Sequence, residues 1–207
     1  MIHNLSTRLW FASTSIPAIR AENILPVLTM LTLWIGLRHL GVHEDRAFVM
    51  AVVVAEAYAI WRNLPDAAFS LRKVRSGRPG MLMWPVLGLV TLAALQLWLN
   101  DPLFTQRVLT GMCVFFLVIM ILGIRREKDM LERVVPQQSA DGTPVERVSL
   151  LRVNALAAAM VIAVNELLIV GETLAVWITV MPVFVLFLHG FYWFMVLMVL
   201  PLHGKAA

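Results

Sequence analysis

The stretch VLTGMCVFFLVIMILGIRR, residues 108–126, decides the fold class of this chain. Residues 108–124 carry no charged side chain and approach the ~20 residues that a helix needs to span a bilayer. Two arginines follow at once, and arginine beside an apolar run favours the cytoplasmic side of the membrane. The stretch therefore predicts a membrane-spanning helix whose C-terminal end lies at the cytoplasm.

Further apolar runs of similar length lie on both sides of this stretch. The six predicted spans are residues 24–40, 47–61, 81–99, 108–124, 153–170 and 174–200. The predicted external connections are residues 41–46, 100–107 and 171–173. Such short connections make sequential spans antiparallel, so the spans pair as three hairpins. With 60% hydrophobic and 14% charged residues, the chain is predicted to be an all-α, polytopic transmembrane helix bundle.

The basic residues predict the orientation of this bundle. All but three of the 17 Lys and Arg residues lie in two loops and two tails, and such residues resist translocation. We expect loops 62–80 and 125–152 and both termini to be cytoplasmic, and the family resemblance described below implies that the membrane is a bacterial inner membrane. The same distribution explains the net charge of +4 without a nucleic-acid partner.

The chain divides into a short N-terminal segment and one transmembrane domain. Residues 1–22 are predicted to be a cytoplasmic or interfacial segment, with a disordered tail as the alternative. Residues 23–202 form the predicted transmembrane domain, because no other stretch is long and polar enough for a second domain. The lipid bilayer is the first expected partner, and the sequence leaves a homo-oligomer open.

Glu56 is the first candidate functional residue. It lies near the middle of the second predicted span, in VVVAEAYAIW (residues 52–61). An ionised side chain at that depth costs about 2.5–3.5 kcal/mol on insertion scales. One interpretation is a proton or cation relay, and the other is a protonated carboxyl that hydrogen-bonds a neighbouring span.

Asn165 and Glu166 are the second candidate site, in the outer half of the fifth predicted span. Glu172 follows at the external turn, and Arg38 and His39 lie near the outer end of the first span. These residues could form an external ion cluster. The simpler interpretation is a helical hairpin held by interhelical hydrogen bonds, each worth about 0.6–2 kcal/mol.

The chain has no pattern that indicates a catalytic, metal or cofactor site. Cys113 is the only cysteine, so neither an intramolecular disulfide nor a cysteine-based metal site can form. His39 and His43 have i,i+4 spacing, but Gly41 between them is expected to end the helix. No nucleotide-binding or hydrolase motif is present. We expect no cofactor and no enzymatic activity.

Three segments resemble the intracellular septation protein A family, also called the inner-membrane-spanning protein YciB family. They are LQLWLNDPLF (residues 95–104), VNEL (164–167) and WITVMPVFVLF (177–187). The residues that carry the resemblance outside VNEL are Leu97, Trp98, Asp101, Phe104, Trp177, Met181 and Pro182. The segments follow in the family's order, and the chain is similar to a divergent member, since the family's Phe-Lys before the last span is absent.

The resemblance implies a role in envelope integrity and septation, exerted without catalysis through division or wall-elongation membrane proteins. A different class of function is a small transporter or channel coupled to protons or cations, in which Glu56 and the Asn165–Glu166 pair would be used. A third class is an accessory subunit of a membrane redox complex. The residues by themselves leave these three classes open.

Overall fold

The all-α fold predicted from the sequence is confirmed. The computed structural model describes residues 2–18, 21–74, 83–133 and 144–199, and these ranges form seven α-helices. The helices are α1 (Ile2–Thr14), α2 (Ala21–His39), α3 (Glu44–Val74), α4 (Met83–Leu99), α5 (Pro102–Arg133), α6 (Pro144–Gly171) and α7 (Leu174–Val199).

Three helical segments among the described residues are long and apolar enough to cross a membrane. They are Pro102–Arg126 in α5, Val148–Gly171 in α6 and Leu174–Val199 in α7, with 25, 24 and 26 residues. At about 1.5 Å per residue each exceeds the ~30 Å hydrocarbon core of a bilayer. Two shorter apolar segments, Ile24–His39 and Val86–Leu99, lie in α2 and α4. These lengths and compositions suggest a membrane protein.

The helices extend well beyond the predicted spans, into both predicted cytoplasmic loops. In loop 62–80, α3 continues to Val74, and in loop 125–152, α5 continues to Arg133 and α6 begins at Pro144. Hydropathy marks where a helix leaves an apolar environment, not where its backbone hydrogen bonds stop. Arg, Lys and Leu, which are frequent in these stretches, are good helix formers.

The N-terminal segment is also helical, so a disordered tail is wrong for Ile2–Thr14. The hydroxyls of Ser13 and Thr14 donate to the carbonyl oxygen of Trp10 over 2.9 and 2.8 Å. Ser and Thr hydroxyls commonly donate to carbonyls three or four residues earlier in their own helix. The predicted interfacial position of this segment stays a prediction.

A left-handed glycine ends α2, as the sequence predicts. Gly41 has φ +78°, its amide donates to the carbonyl of Arg38 over 3.1 Å, and the amide of Val42 donates to that of Leu37 over 3.0 Å. This pair of bonds is a Schellman motif, which requires a residue that adopts positive φ without strain. His39 and His43 therefore lie on opposite sides of a helix end.

The turn between α4 and α5 is much shorter than the predicted connection 100–107. Asn100 adopts φ 49° and donates its amide to the carbonyl of Gln96, which closes α4. Asp101 then begins α5, because its Oδ1 accepts the amide of Leu103 over 2.9 Å. Pro102 occupies the first helical position, where its missing amide costs no hydrogen bond. A helix stop and a helix start thus occupy two consecutive residues.

The chain forms two compact units. Unit 1 comprises Met1–Ile19, Val108–Gly171 and Val180–Ala207, and unit 2 comprises Arg20–Arg107 and Glu172–Thr179. In unit 2, α3 packs against α2 and α4. Its aromatic core is centred on Phe48, which contacts Trp34 and Trp177 edge-on at centroid distances of 6.1 and 5.2 Å.

In unit 1, α5 and α6 run antiparallel. Thr110 on α5 is hydrogen-bonded to Asn165 on α6, and Gly123 further along α5 lies beside Leu151 further back on α6. A Cβ on Gly123 would come within 3.3 Å of a Leu151 methyl group, so the absent side chain permits close approach of the helices. The two contacts are about 20 Å apart along the helix axis.

Candidate functional site

Glu56 pairs with a glutamine that the sequence interpretation did not single out. Glu56 lies half-buried on α3, and Gln96 on α4 is fully buried, with 0% exposure. The Gln96 Nε2 donates to Glu56 Oε2 over 3.3 Å. This bond joins two helices, which agrees with the interpretation of Glu56 as an interhelical hydrogen-bonding group.

The other amide atom of Gln96 has no partner. Gln96 Oε1 is a buried acceptor without a hydrogen bond, whereas most buried polar groups in proteins are paired. An unsatisfied buried acceptor costs about 1–3 kcal/mol. Of the two amide atoms of Gln96, Nε2 on α4 is therefore bonded to Glu56 on α3, and Oε1 has no hydrogen bond.

Asn165 and Glu166 meet through a third residue, Thr110 on α5. Asn165 Nδ2 donates to Thr110 Oγ1 over 2.9 Å, and the same hydroxyl donates to Glu166 Oε1 over 2.7 Å. Asn165 is fully buried and Glu166 is half-buried. The hydroxyl accepts one bond and donates the other, so its hydrogen-bonding capacity is well used. The bonds are interhelical, as the simpler interpretation expects, but they join α5 to α6, which belong to different predicted hairpins.

Arg38, one of the residues considered for an external ion cluster, pairs with an acidic residue close to it in sequence, and the cluster itself stays a prediction. Arg38 Nη2 lies 3.5 Å from Glu44 Oε2, across the turn between α2 and α3. The Arg38 guanidinium also lies 5.8 Å from the ring centre of Trp34. Within the described ranges, no three His, Cys, Asp or Glu side chains come together as a metal site would require.

The residues of the family resemblance occupy turn and core positions. Asp101 caps α5, and Trp177 packs on Phe48 with only 4% of its surface exposed. Met181 and Pro182 are buried in α7, which continues through the proline. The remaining members are Leu97 and Trp98, which are exposed at the end of α4, and Phe104, which is half-buried in α5.

The structure thus separates the candidate residues into two contacts, Glu56 with Gln96 in unit 2 and Asn165–Glu166 with Thr110 in unit 1. Sequence reasoning missed Gln96 and Thr110. A signal for Gln96 existed, because an amide in an otherwise apolar span is costly unless it is paired.

Thr110 gave a weaker signal. A threonine hydroxyl can bond the carbonyl four residues earlier in its own helix, as Thr91 does with Leu87 over 2.8 Å. The residue type of Thr110 therefore does not reveal an interhelical role.

Comparison of the chain with models of protein families, with curated proteins and with solved structures found no match.

Proposed function

We propose that this chain crosses the bacterial inner membrane six times, as three helical hairpins with both termini in the cytoplasm. Three short turns support the hairpins: residues 40–43 join α2 to α3, residues 100–101 join α4 to α5, and residues 172–173 join α6 to α7. The concentration of Lys and Arg in the alternate connections supports the orientation.

The proposed role is non-enzymatic, in envelope integrity and septation, as a divergent member of the intracellular septation protein A family. The observation that carries this proposal is the ordered set of three resembling segments. Their residues hold the fold together at the α4–α5 turn, the α5–α6 contact and the start of α7. A role through membrane partners also accords with an Asn165–Glu166 pair that is occupied by internal hydrogen bonds.

The first test is a cross-linked pull-down of the tagged full chain from native membranes, with partners identified by mass spectrometry. We expect division or wall-elongation membrane proteins to be enriched over a matched multi-span control protein. Recovery of the chain alone, or only with further copies of itself, would contradict the partner-based role.

A clean deletion gives the second test. The deletion strain is expected to lose envelope integrity and correct septum placement at low osmolarity and under detergent stress. The chain expressed in trans should restore both properties. Unchanged growth, permeability and septum position under these conditions would count against the proposed process.

Proton- or cation-coupled transport is a second candidate, and the Glu56–Gln96 contact favours it. A carboxyl group inside an apolar span, next to an acceptor without a partner, is the type of group that carriers use. Purified protein in liposomes should then support a proton or cation flux that Glu56→Gln abolishes and Glu166→Gln retains. Equal, background-level flux for all three proteins would exclude this candidate.

A further inference from the structure

The unpaired amide oxygen of Gln96 constrains the state of the carboxyl group beside it. Gln96 is fully buried, its Nε2 donates to Glu56 Oε2 over 3.3 Å, and its Oε1 lacks a donor. The unpaired oxygen needs a hydrogen-bond donor, and the Glu56 carboxyl is the group that already bonds the same amide.

A carboxylic acid can satisfy both atoms of a primary amide, whereas a carboxylate can satisfy only one. An ionised carboxylate has acceptors alone, so it can pair with Nε2 but not with Oε1. A protonated carboxyl has one O–H donor and one carbonyl acceptor. It can accept from Nε2 and donate to Oε1 at the same time, which closes a ring of two hydrogen bonds.

We propose that Glu56 and Gln96 form a proton-binding site, in which Glu56 holds the proton on Oε1 and donates it to Gln96 Oε1. The bond from Gln96 Nε2 to Glu56 Oε2 is the half of this ring already present. The proton comes from water when the site is loaded and returns to water when it is released. Release leaves a carboxylate and an unpaired buried amide oxygen.

The ionisable groups of the helices that pack around this pair are few near Gln96 and more frequent on α3. On α4, which carries Gln96, residues 83–99 include no ionisable side chain. On α2, the ionisable residues are Glu22 near the start and Arg38 and His39 at the end. Arg38 is already paired with Glu44. On α3 itself, Tyr58 and Arg62 lie within two turns of Glu56.

Infrared spectroscopy of the purified full chain in lipid bilayers reads the proton directly. A carboxylic acid has a C=O stretch that lies above the amide and carboxylate bands and shifts down in D₂O. We expect this band at pH 7 in the wild-type chain, and we expect its loss in Glu56→Gln. The matched control is Glu166→Gln, which removes a half-buried carboxyl from α6 and should leave the band unchanged.

Two further variants test the role of Gln96. Gln96→Leu removes the acceptor, so the acid band should shift to higher frequency. The exchange variant Glu56→Gln with Gln96→Glu reverses the pair and should restore the band to its hydrogen-bonded position. Because Glu56→Gln can still form an amide–amide pair, its fold is expected to persist.

Two results would contradict the proposed proton-binding site. One is a wild-type spectrum at pH 7 in which no acid band depends on Glu56. The other is a Glu56 carboxylate band that shifts on addition of Na⁺ or K⁺, which would identify a cation in place of the proton. This proposal rests on the second candidate function, proton- or cation-coupled transport, and names the proton as its ligand. The infrared band reports the proton on Glu56 whether or not liposome flux is observed, so the two can fail separately.

Discussion

Two uncharged, apolar stretches have opposite environments in this protein. In α3, Ala47, Phe48, Val49 and Ala51 have 0% exposure. In α5, Phe115 is 63% exposed, and its apolar neighbours along residues 114–122 are largely exposed as well. An exposed apolar surface of this extent would promote aggregation in water, whereas lipid tails cover it at no such cost. The comparison teaches that apolar sequence alone does not identify the packed core of a membrane protein.

Side-chain size accounts for much of this difference. Ala47, Ala51 and Ala55 recur every four residues on α3, and all are at most 7% exposed. Small residues at this spacing let neighbouring helices approach closely, and α3 packs against both α2 and α4. Residues 114–122 of α5 are almost all large, so this stretch offers no groove into which a neighbouring helix could pack closely.

The largest effect is expected from Phe48→Ala. The substitution removes the ring that joins Trp34 and Trp177, and a buried Phe→Ala change costs about 3–5 kcal/mol. The measurement is the free energy of unfolding in mixed micelles, with Phe48→Leu as a milder control that keeps part of the volume. A decrease in the free energy of unfolding of less than about 1 kcal/mol would contradict the distinction between a packed α3 and an exposed α5.

Substitution of Glu56 is expected to have the next largest effect. Glu56→Ala leaves both amide atoms of the buried Gln96 without this partner, which should lower the free energy of unfolding by about 1–3 kcal/mol. Glu56→Gln keeps a hydrogen-bonding group and should be tolerated better. Equal losses in the two variants would favour a role that requires an ionisable group.

Thr110→Val tests the contact in unit 1, in which Thr110 is hydrogen-bonded to both Asn165 and Glu166. Loss of the hydroxyl removes the bonds to Asn165 and Glu166. Because interhelical bonds in membrane proteins average about 0.6 kcal/mol each, the expected loss is about 1–2 kcal/mol. Thr110→Ser keeps the hydroxyl and is the matched control, so similar losses for Val and Ser would assign the effect to packing.

The smallest effect is expected from Phe115→Ala on the exposed part of α5. Its ring contacts Phe116 at 6.0 Å but is otherwise largely uncovered, so the free energy of unfolding should change by less than about 0.5 kcal/mol. The same micelle experiment compares it with Phe48→Ala. A larger loss, together with a change of oligomeric state, would show that a second chain covers this face.

Helix ends were predictable where a single residue determines backbone geometry. Gly41 could be assigned to a helix end from residue type, since it tolerates positive φ. Asp101 starts α5 by accepting a free amide hydrogen, but the predicted connection ran past it to Arg107. Arg62 and Arg125 could not mark helix ends, because the backbone continues as helix after the side chains leave the apolar environment. The predicted spans therefore end before the helices that contain them, and the cytoplasmic position of the two loops stays a prediction.

The sequence by itself determined the helical class, the apolar segments and the candidate polar residues Glu56, Asn165 and Glu166. These properties follow from composition and from short-range periodicity along one chain. Only the tertiary structure decided that Gln96 is the partner of Glu56 and that Thr110 joins Asn165 to Glu166. Partner choice depends on which faces of separate helices meet, and the pairs Glu56–Gln96 and Thr110–Asn165 are too distant in sequence for local rules to specify.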